Sequence, residues 1–256
     1  MSEYDYLLKE LEKIKNGEDS FLGCDGGNIN AKIWFCGIEF GGTPEEMNTY
    51  YKDYIIPNIN DENKIPYRKK YTGKFLQSPF DRYLTIMYLI LLKGYNFDKN
   101  EDSNLISNVL KSELYNKDSE SFKLNLFPIA KKNVSWNKKI EEELKVDRNE
   151  YYSTLFNKRA KFFKKIISRF TPETIICFST KNYSDLFIKA FLSKKNKIEF
   201  QYDIFIDRNN KEHFIKIIHY KKTKYIIMPF LGMGNLTNHE DVINISEFIK
   251  ENYINS

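Results

Sequence analysis

Four short apolar runs punctuate the chain, and each meets a glycine, a serine or a proline. Ile33-Trp34-Phe35-Cys36 stops at Gly37, FKLNLFPIA (122–130) runs into Pro128, TIICFS (174–179) ends in serine, and KYIIMPF (224–230) runs into Pro229. Runs this short, continuous rather than alternating, read as strands buried on both faces of a parallel sheet. Between them the period changes to that of a helix. Residues 3–15 place Tyr6, Leu7, Leu11 and Ile14 on one stripe and end at Asn16-Gly17. Residues 80–93, FDRYLTIMYLILLK, are apolar nearly all round, which predicts a helix buried against the sheet and closed by Gly94. Residues 149–170 set Tyr152, Leu155, Phe156, Phe163, Ile166, Ile167 and Phe170 at helical spacing and carry six lysines and arginines. On this pattern a solvated basic face outweighs a DNA-binding one. Shorter helices are predicted over 104–113, 137–146, 181–192 and 239–252, and a hairpin over 198–207 and 213–220.

Strand and helix thus alternate four times, with the hairpin inserted before the last strand. That order predicts an α/β fold, a three-layer α/β/α arrangement with a mostly parallel central sheet, in a single domain spanning 1–256. The stretch 43–79 holds Pro44, Pro57, Pro66 and Pro79, many tyrosines and the basic run Arg68-Lys69-Lys70. It reads as a long irregular insertion with a helical turn near 44–55.

Composition sets limits. A chain of 256 residues with 41% hydrophobic and 29% charged content can bury a substantial core. Its net charge of +5 permits a polyanionic partner without demanding one. The 16% aromatic share supplies rings for a core or for stacking on bases. Three cysteines without C-x-x-C spacing and three histidines without ligand spacing argue against a metal cluster or a disulfide framework, and no cofactor is expected. The charged, amphipathic start and the absence of any apolar run near the ~20 residues of a bilayer span predict a cytoplasmic chain outside the membrane.

In open α/β sheets, ligands bind beyond the carboxyl ends of the strands. The first strand ends in Gly37-Ile38-Glu39-Phe40-Gly41-Gly42, and the second carries Asn125. The last ends in Met228-Pro229-Phe230 and continues as Leu231-Gly232-Met233-Gly234-Asn235. The topology therefore predicts that one carboxylate, one amide and a glycine-containing loop with apolar tips meet at one edge. GIEFGG is neither a G-x-G-x-x-G fingerprint nor a P-loop. Taken singly, its glycines more often serve a tight turn, and an asparagine more often bonds a neighbouring loop. The set, in order at successive strand ends, carries the argument.

This set resembles the uracil-DNA glycosylase superfamily, in style nearest its mismatch-specific uracil/thymine branch. Gly37-Ile38-Glu39-Phe40-Gly41 is similar to the family's first motif, Leu124-Asn125-Leu126-Phe127-Pro128 to its asparagine strand, and Met228-Pro229-Phe230 to its last motif. TIICFSTKNYSDLF is similar to the strand and helix before that last motif, so the likeness runs over roughly 30–250. The resemblance implies a hydrolase that flips a damaged, mismatched or modified base out of single- or double-stranded DNA. It would cleave the N-glycosidic bond through an oxocarbenium-like transition state. By residue matching, the catalytic pair is Glu39, which orients water, and Asn125, which reads the base. Gly37, Ile38, Phe40, Gly41, Phe80, Met228, Pro229 and Phe230 would line the pocket, and Leu231, Gly232, Met233, Gly234 and Asn235 would contact DNA. Phe75, Phe80 and Phe40 are candidates for the ring that stacks on the base, and a monomer is expected. Three positions depart from the family pattern: Phe40 replaces the usual proline, Met228 the histidine that assists the leaving base in several branches, and Phe230 the serine. The substrate base therefore stays unassigned. The alternatives are a catalytically inactive relative that binds DNA or a nucleotide, and an unrelated α/β protein whose glycines serve only turns.

Overall fold

The computed structural model describes residues 4–39, 41–53, 55–57, 66–68, 78–97, 103–130, 138–180, 182–192, 198–232 and 235–254. Phe40, Phe75, Met233, Gly234 and the Lys69-Lys70 pair lie outside the described residues. The first half runs α1 (Asp5–Asn16), β1 (Gly26–Gly27), β2 (Ile33–Gly37), α2 (Pro44–Asp53), β3 (Ile55–Pro57), β4 (Pro66–Arg68), α3 (Pro79–Lys93), α4 (Ser103–Ser112) and β5 (Ser121–Asn125). The second runs α5 (Lys138–Leu144), α6 (Arg148–Glu150), a π-helical turn at Tyr151–Leu155, α7 (Phe156–Phe170), β6 (Thr174–Ser179) and α8 (Ser184–Phe191). It closes with β7 (Phe200–Ile206), β8 (Glu212–Tyr220), β9 (Thr223–Pro229) and α9 (His239–Ile249), which continues as a π-helical turn at Lys250–Ile254.

Seven strands form one sheet in the order β1-β5-β2-β6-β9-β8-β7, with helices around it. The four central strands β5, β2, β6 and β9 run parallel. Strand β1 lies antiparallel to β5, β8 to β9, and β7 to β8. The sheet is therefore mixed, which corrects the mostly parallel sheet expected from the sequence. The reason is local. Only Lys221 and Lys222 separate β8 from β9, with Lys221 in the left-handed region at φ 57°. A two-residue turn returns the chain beside itself, so the hairpin extends the sheet instead of leaving it as an insertion.

Strands β2, β5 and β6 are buried at every position, as apolar runs covered on both faces should be. Helix α3 packs on α9 and α4, and α7 packs on α8 and α1. The Ser78 hydroxyl caps α3, accepting from the Asp81 N–H at 3.4 Å. Within the stretch 43–79, β3 and β4 pair as a small two-stranded sheet after α2, and residues 58–65 and 69–77 lie outside the described residues. The basic face expected of α7 has one exception, since Arg159 is 1% exposed.

At the tip of the β7–β8 hairpin, the Asp207 carboxylate accepts from the backbone N–H groups of Asn209 (2.8 Å) and Lys211 (3.0 Å) and pairs with His213 Nε2 at 2.8 Å. The bond to His213 holds the Asp207 carboxyl below its ordinary range. A carboxyl depressed in the fold adds stability above its unfolded pKa and loses it as pH falls through the folded value. Asp207→Asn is therefore expected to lower the melting temperature near neutral pH and to flatten its decline below pH about 4. Thermal melts of the two proteins across acid pH check this.

Candidate functional site

The parallel strands set one row of residues across their carboxyl ends. Asn125 of β5 pairs with Gly37 of β2, and Phe178 of β6 pairs with Met228 of β9. The β2–β6 pairing ends with Cys36 beside Cys177, and Gly37 and Phe178 are the next residue of each strand. Pro229 lies next to Ser179. The chain moves outward from β2 to β5 and then crosses back to β6, so the winding reverses between β2 and β6. Ligands of open α/β sheets bind beyond the strand ends at such a reversal.

Asn125 is 1% exposed. Its Nδ2 donates to the Gly23 carbonyl at 2.8 Å and to Asp25 Oδ2 at 3.0 Å. Both partners can only accept, so rotating the amide by half a turn would set oxygen against oxygen; the chemistry dictates the orientation. The other amide atom, Oδ1, is buried and has no hydrogen-bond partner among the described residues. It faces Gly37, where an added Cβ would stand well inside van der Waals contact of Oδ1. Glycine at 37 is thus a requirement of close approach. Gly37→Ala is expected to push Asn125 off its two acceptors and to destabilise the fold by about 1–3 kcal/mol. Denaturant titration of the variant measures it.

Beneath Asn125 lies a buried charge cluster. Asp25, 2% exposed, accepts from Arg68 Nη2 at 3.2 Å and from the Lys123 ammonium. The Arg68 guanidinium lies over the rings of Tyr50 (4.8 Å) and Tyr115 (4.0 Å), and the Tyr115 hydroxyl donates to Asp81. Lys123 sits 5.1 Å from the centre of the Phe80 ring. On the far side, Arg159 Nη2 donates to the Asn125 carbonyl at 2.8 Å and its Nε to the Leu126 carbonyl at 3.1 Å. Gly23 takes φ 82°, and a Cβ there would meet Arg159 Nη2 and the Phe127 carbonyl at 2.9 Å each. Sequence reading missed Asp25, Arg68, Lys123 and Arg159 as site residues. One signal was present: a lysine between Phe122 and Leu124 inside an apolar strand, which has to find a carboxylate if the strand is buried.

Glu39 belongs to a neighbouring aromatic group. The N–H of Leu126 donates to the Gly37 carbonyl at 2.9 Å and that of Phe127 to the Ile38 carbonyl at 2.8 Å, holding the two loops together past the strand ends. Glu39 follows and is half-buried. Burial raises the phenol pKa values of Tyr151 and Tyr152, and the nearby Glu39 carboxylate raises both further. Phe127 stacks on Tyr151 at 5.3 Å and meets Tyr152 and Tyr183 edge-on at 5.2 and 6.2 Å. Tyr151 opens the π-helical turn before α7, a distortion frequent at functional sites.

Phe80, near the start of α3, covers the row. It stacks on Phe230 at 5.2 Å and meets Phe178 edge-on at 5.4 Å. Ile38, Met228 and Pro229 are buried, and Gly41 is exposed. Leu231 and Gly232 are buried in a tight turn, with the Gly232 N–H donating to Leu236 O at 2.6 Å; Asn235 is half-buried. A cleft of about 270 Å³ opens at the amino-terminal end of β9, between the last turns of α7 and the β8–β9 turn, with Lys164, Lys221 and Lys222 along it, away from the row.

No family model matches the chain, and no curated protein is significantly similar to it. Among the described residues, no group of His, Cys, Asp and Glu is arranged to hold a metal ion, and no helix is long and apolar enough to cross a membrane.

Proposed function

We propose that the protein is a DNA glycosylase-like hydrolase with the three-layer architecture of the uracil-DNA glycosylase superfamily. It would act in the cytoplasm on a damaged, mismatched or modified base flipped out of DNA. The observation that carries this reading is the row Asn125–Gly37–Phe178–Met228 at the reversal point of the parallel strands. It unites the strand ends of all three motifs in one place.

In this reading the flipped base enters beside Asn125, whose amide oxygen is seated against Gly37 because that residue has no side chain. Asn125 Nδ2 is engaged with Gly23 and Asp25, so Asn125 meets the base through Oδ1, as an acceptor for a base N–H. Phe80 gives up its contacts with Phe178 and Phe230 to admit the base, then stacks on it. Leu231 and Gly232 are buried, so the chain there has to move before these two residues contact DNA. Glu39 orients a water and stabilises the positive charge growing on the sugar. Met228 supplies no proton to the leaving base. Stabilisation of a departing anion then falls to the field of Lys123 and Arg68, preorganised in a low-dielectric interior.

Met228 also favours a second reading. The row holds no titratable side chain, which suits a catalytically inactive relative that binds DNA or a nucleotide. The test is to incubate the protein with oligonucleotides carrying uracil, hypoxanthine, mismatched thymine or modified cytosines and to score alkali-labile sites. Hydrolysis yields such sites on at least one substrate. Binding without release on all of them selects the second reading. No DNA affinity even at low salt, where phosphate contacts are strongest, contradicts the first reading and the DNA-binding form of the second.

A further inference from the structure

Five large apolar side chains stand exposed on the β7–β8 hairpin: Phe200 at 40%, Tyr202 at 60%, Ile204 at 44%, Ile206 at 58% and Phe214 at 65%. They share one face. Alternate residues of β7 point the same way, and Phe214 of β8 is paired directly with Ile204. The opposite face carries Phe205, His213, Ile215 and Ile217, all buried, with Phe205 against Phe248 of α9. Helix α8 approaches this face where Asp185 lies 3.8 Å from Lys216.

The patch is large for a protein that stands alone. At ~150–250 Å² for a full aromatic side chain, these five expose on the order of 500 Å² of apolar surface. That is near the top of the ~300–600 Å² range for the largest patch on a monomer. With a polar rim it approaches the ~800 Å² that each partner contributes to an interface of standard size.

The face, rather than the strand edge, is the docking element. The Asp207 N–H donates to the Lys211 carbonyl at 3.0 Å, so odd-numbered residues of β7 bond to β8 and the backbone groups of Tyr202, Ile204 and Ile206 point outward. The outward N–H of Ile204 is already taken by the Asp203 carboxylate at 2.9 Å. A charge on an edge strand opposes the addition of another strand.

The charges on the face indicate what covers it. Glu212, Phe214 and Lys216 alternate along β8 on the apolar side, and the Lys216 ammonium lies 5.3 and 5.6 Å from the rings of Phe200 and Tyr202. A two-fold axis in the plane of the interface and perpendicular to β8 reverses the strand. It sets Phe214 on Phe214 of the second copy and each Glu212 over the other copy's Lys216. We propose that the protein forms a two-fold dimer through this face, the two hairpins packed face to face with antiparallel strands. The sequence alone predicts a monomer, because the patch exists only once β7 and β8 are paired.

Sedimentation equilibrium of the full chain across a dilution series tests the proposal, and the wild type should dimerise. Phe214→Lys and Ile204→Lys, each at an exposed position, should be monomeric with unchanged circular dichroism. Glu212→Lys alone and Lys216→Glu alone should each weaken the dimer by about tenfold or more, and the double reversal should restore it. A monomeric wild type overturns the proposal. So does a dimer indifferent to both lysine substitutions, or a double reversal that fails to recover.

Discussion

Asp25→Ala should cost the fold about 3–5 kcal/mol, enough to leave a protein of ordinary stability barely folded. The carboxylate is buried and faces the Lys123 ammonium and the Arg68 guanidinium, and it also accepts from Asn125 Nδ2. Taking it away strands the Lys123 ammonium among the rings of Phe80 and Tyr115, where rings cannot replace an anion. It also costs Asn125 one of its two acceptors. Two controls separate these effects. Asp25→Asn keeps an acceptor without the charge and should fall between wild type and Asp25→Ala. Asp25→Leu combined with Lys123→Met removes the carboxylate and the ammonium together but leaves the Arg68 guanidinium and the Asn125 amide without the carboxylate, so it should recover only part of the loss. Urea titrations of the four proteins measure the series. A loss below about 1 kcal/mol for Asp25→Ala, the scale of an exposed pair, would mean that the cluster is solvated.

The strands at the centre of the sheet were legible because burial on both faces leaves an unbroken apolar run. TIICFS is β6 residue for residue, and the run ending at Gly37 is β2. The run 122–130 was overread, since β5 ends at Asn125 and Pro128 has no N–H with which to extend a ladder. Strand β1 is two glycines, too short and too featureless to carry a pattern. The mixed character of the sheet rests on how the hairpin docks, which periodicity does not encode. Asn125 could be singled out because it interrupts an apolar run three residues before Pro128. Its partners could not. Asp25 lies 43 residues from Arg68 and 98 from Lys123, and ion pairs across such distances leave no mark on local sequence. Arg159 reads as one charge among many on a basic helix. It is buried because two backbone carbonyls and the Phe163 ring take the place of water around its guanidinium.

Glu39→Gln should reduce base release by about a hundredfold or more, while affinity for the same oligonucleotide changes by less than about threefold. Glutamine keeps the volume and one carbonyl oxygen of glutamate. It loses the negative charge, which the mechanism needs to orient water and to balance the oxocarbenium ion. The substitution also removes the charge that helps raise the pKa values of Tyr151 and Tyr152, so both phenols should ionise at lower pH in the variant. An ultraviolet titration of tyrosinate follows this without any substrate, and it reports whether the carboxylate sits beside these rings. Single-turnover release of free base, quantified from one modified oligonucleotide with protein in excess, is the most direct measurement. The expected result is release by the wild type and near-silence from Glu39→Gln bound to the same DNA. Equal release by both proteins, or release by neither from any modified base, would contradict the proposal.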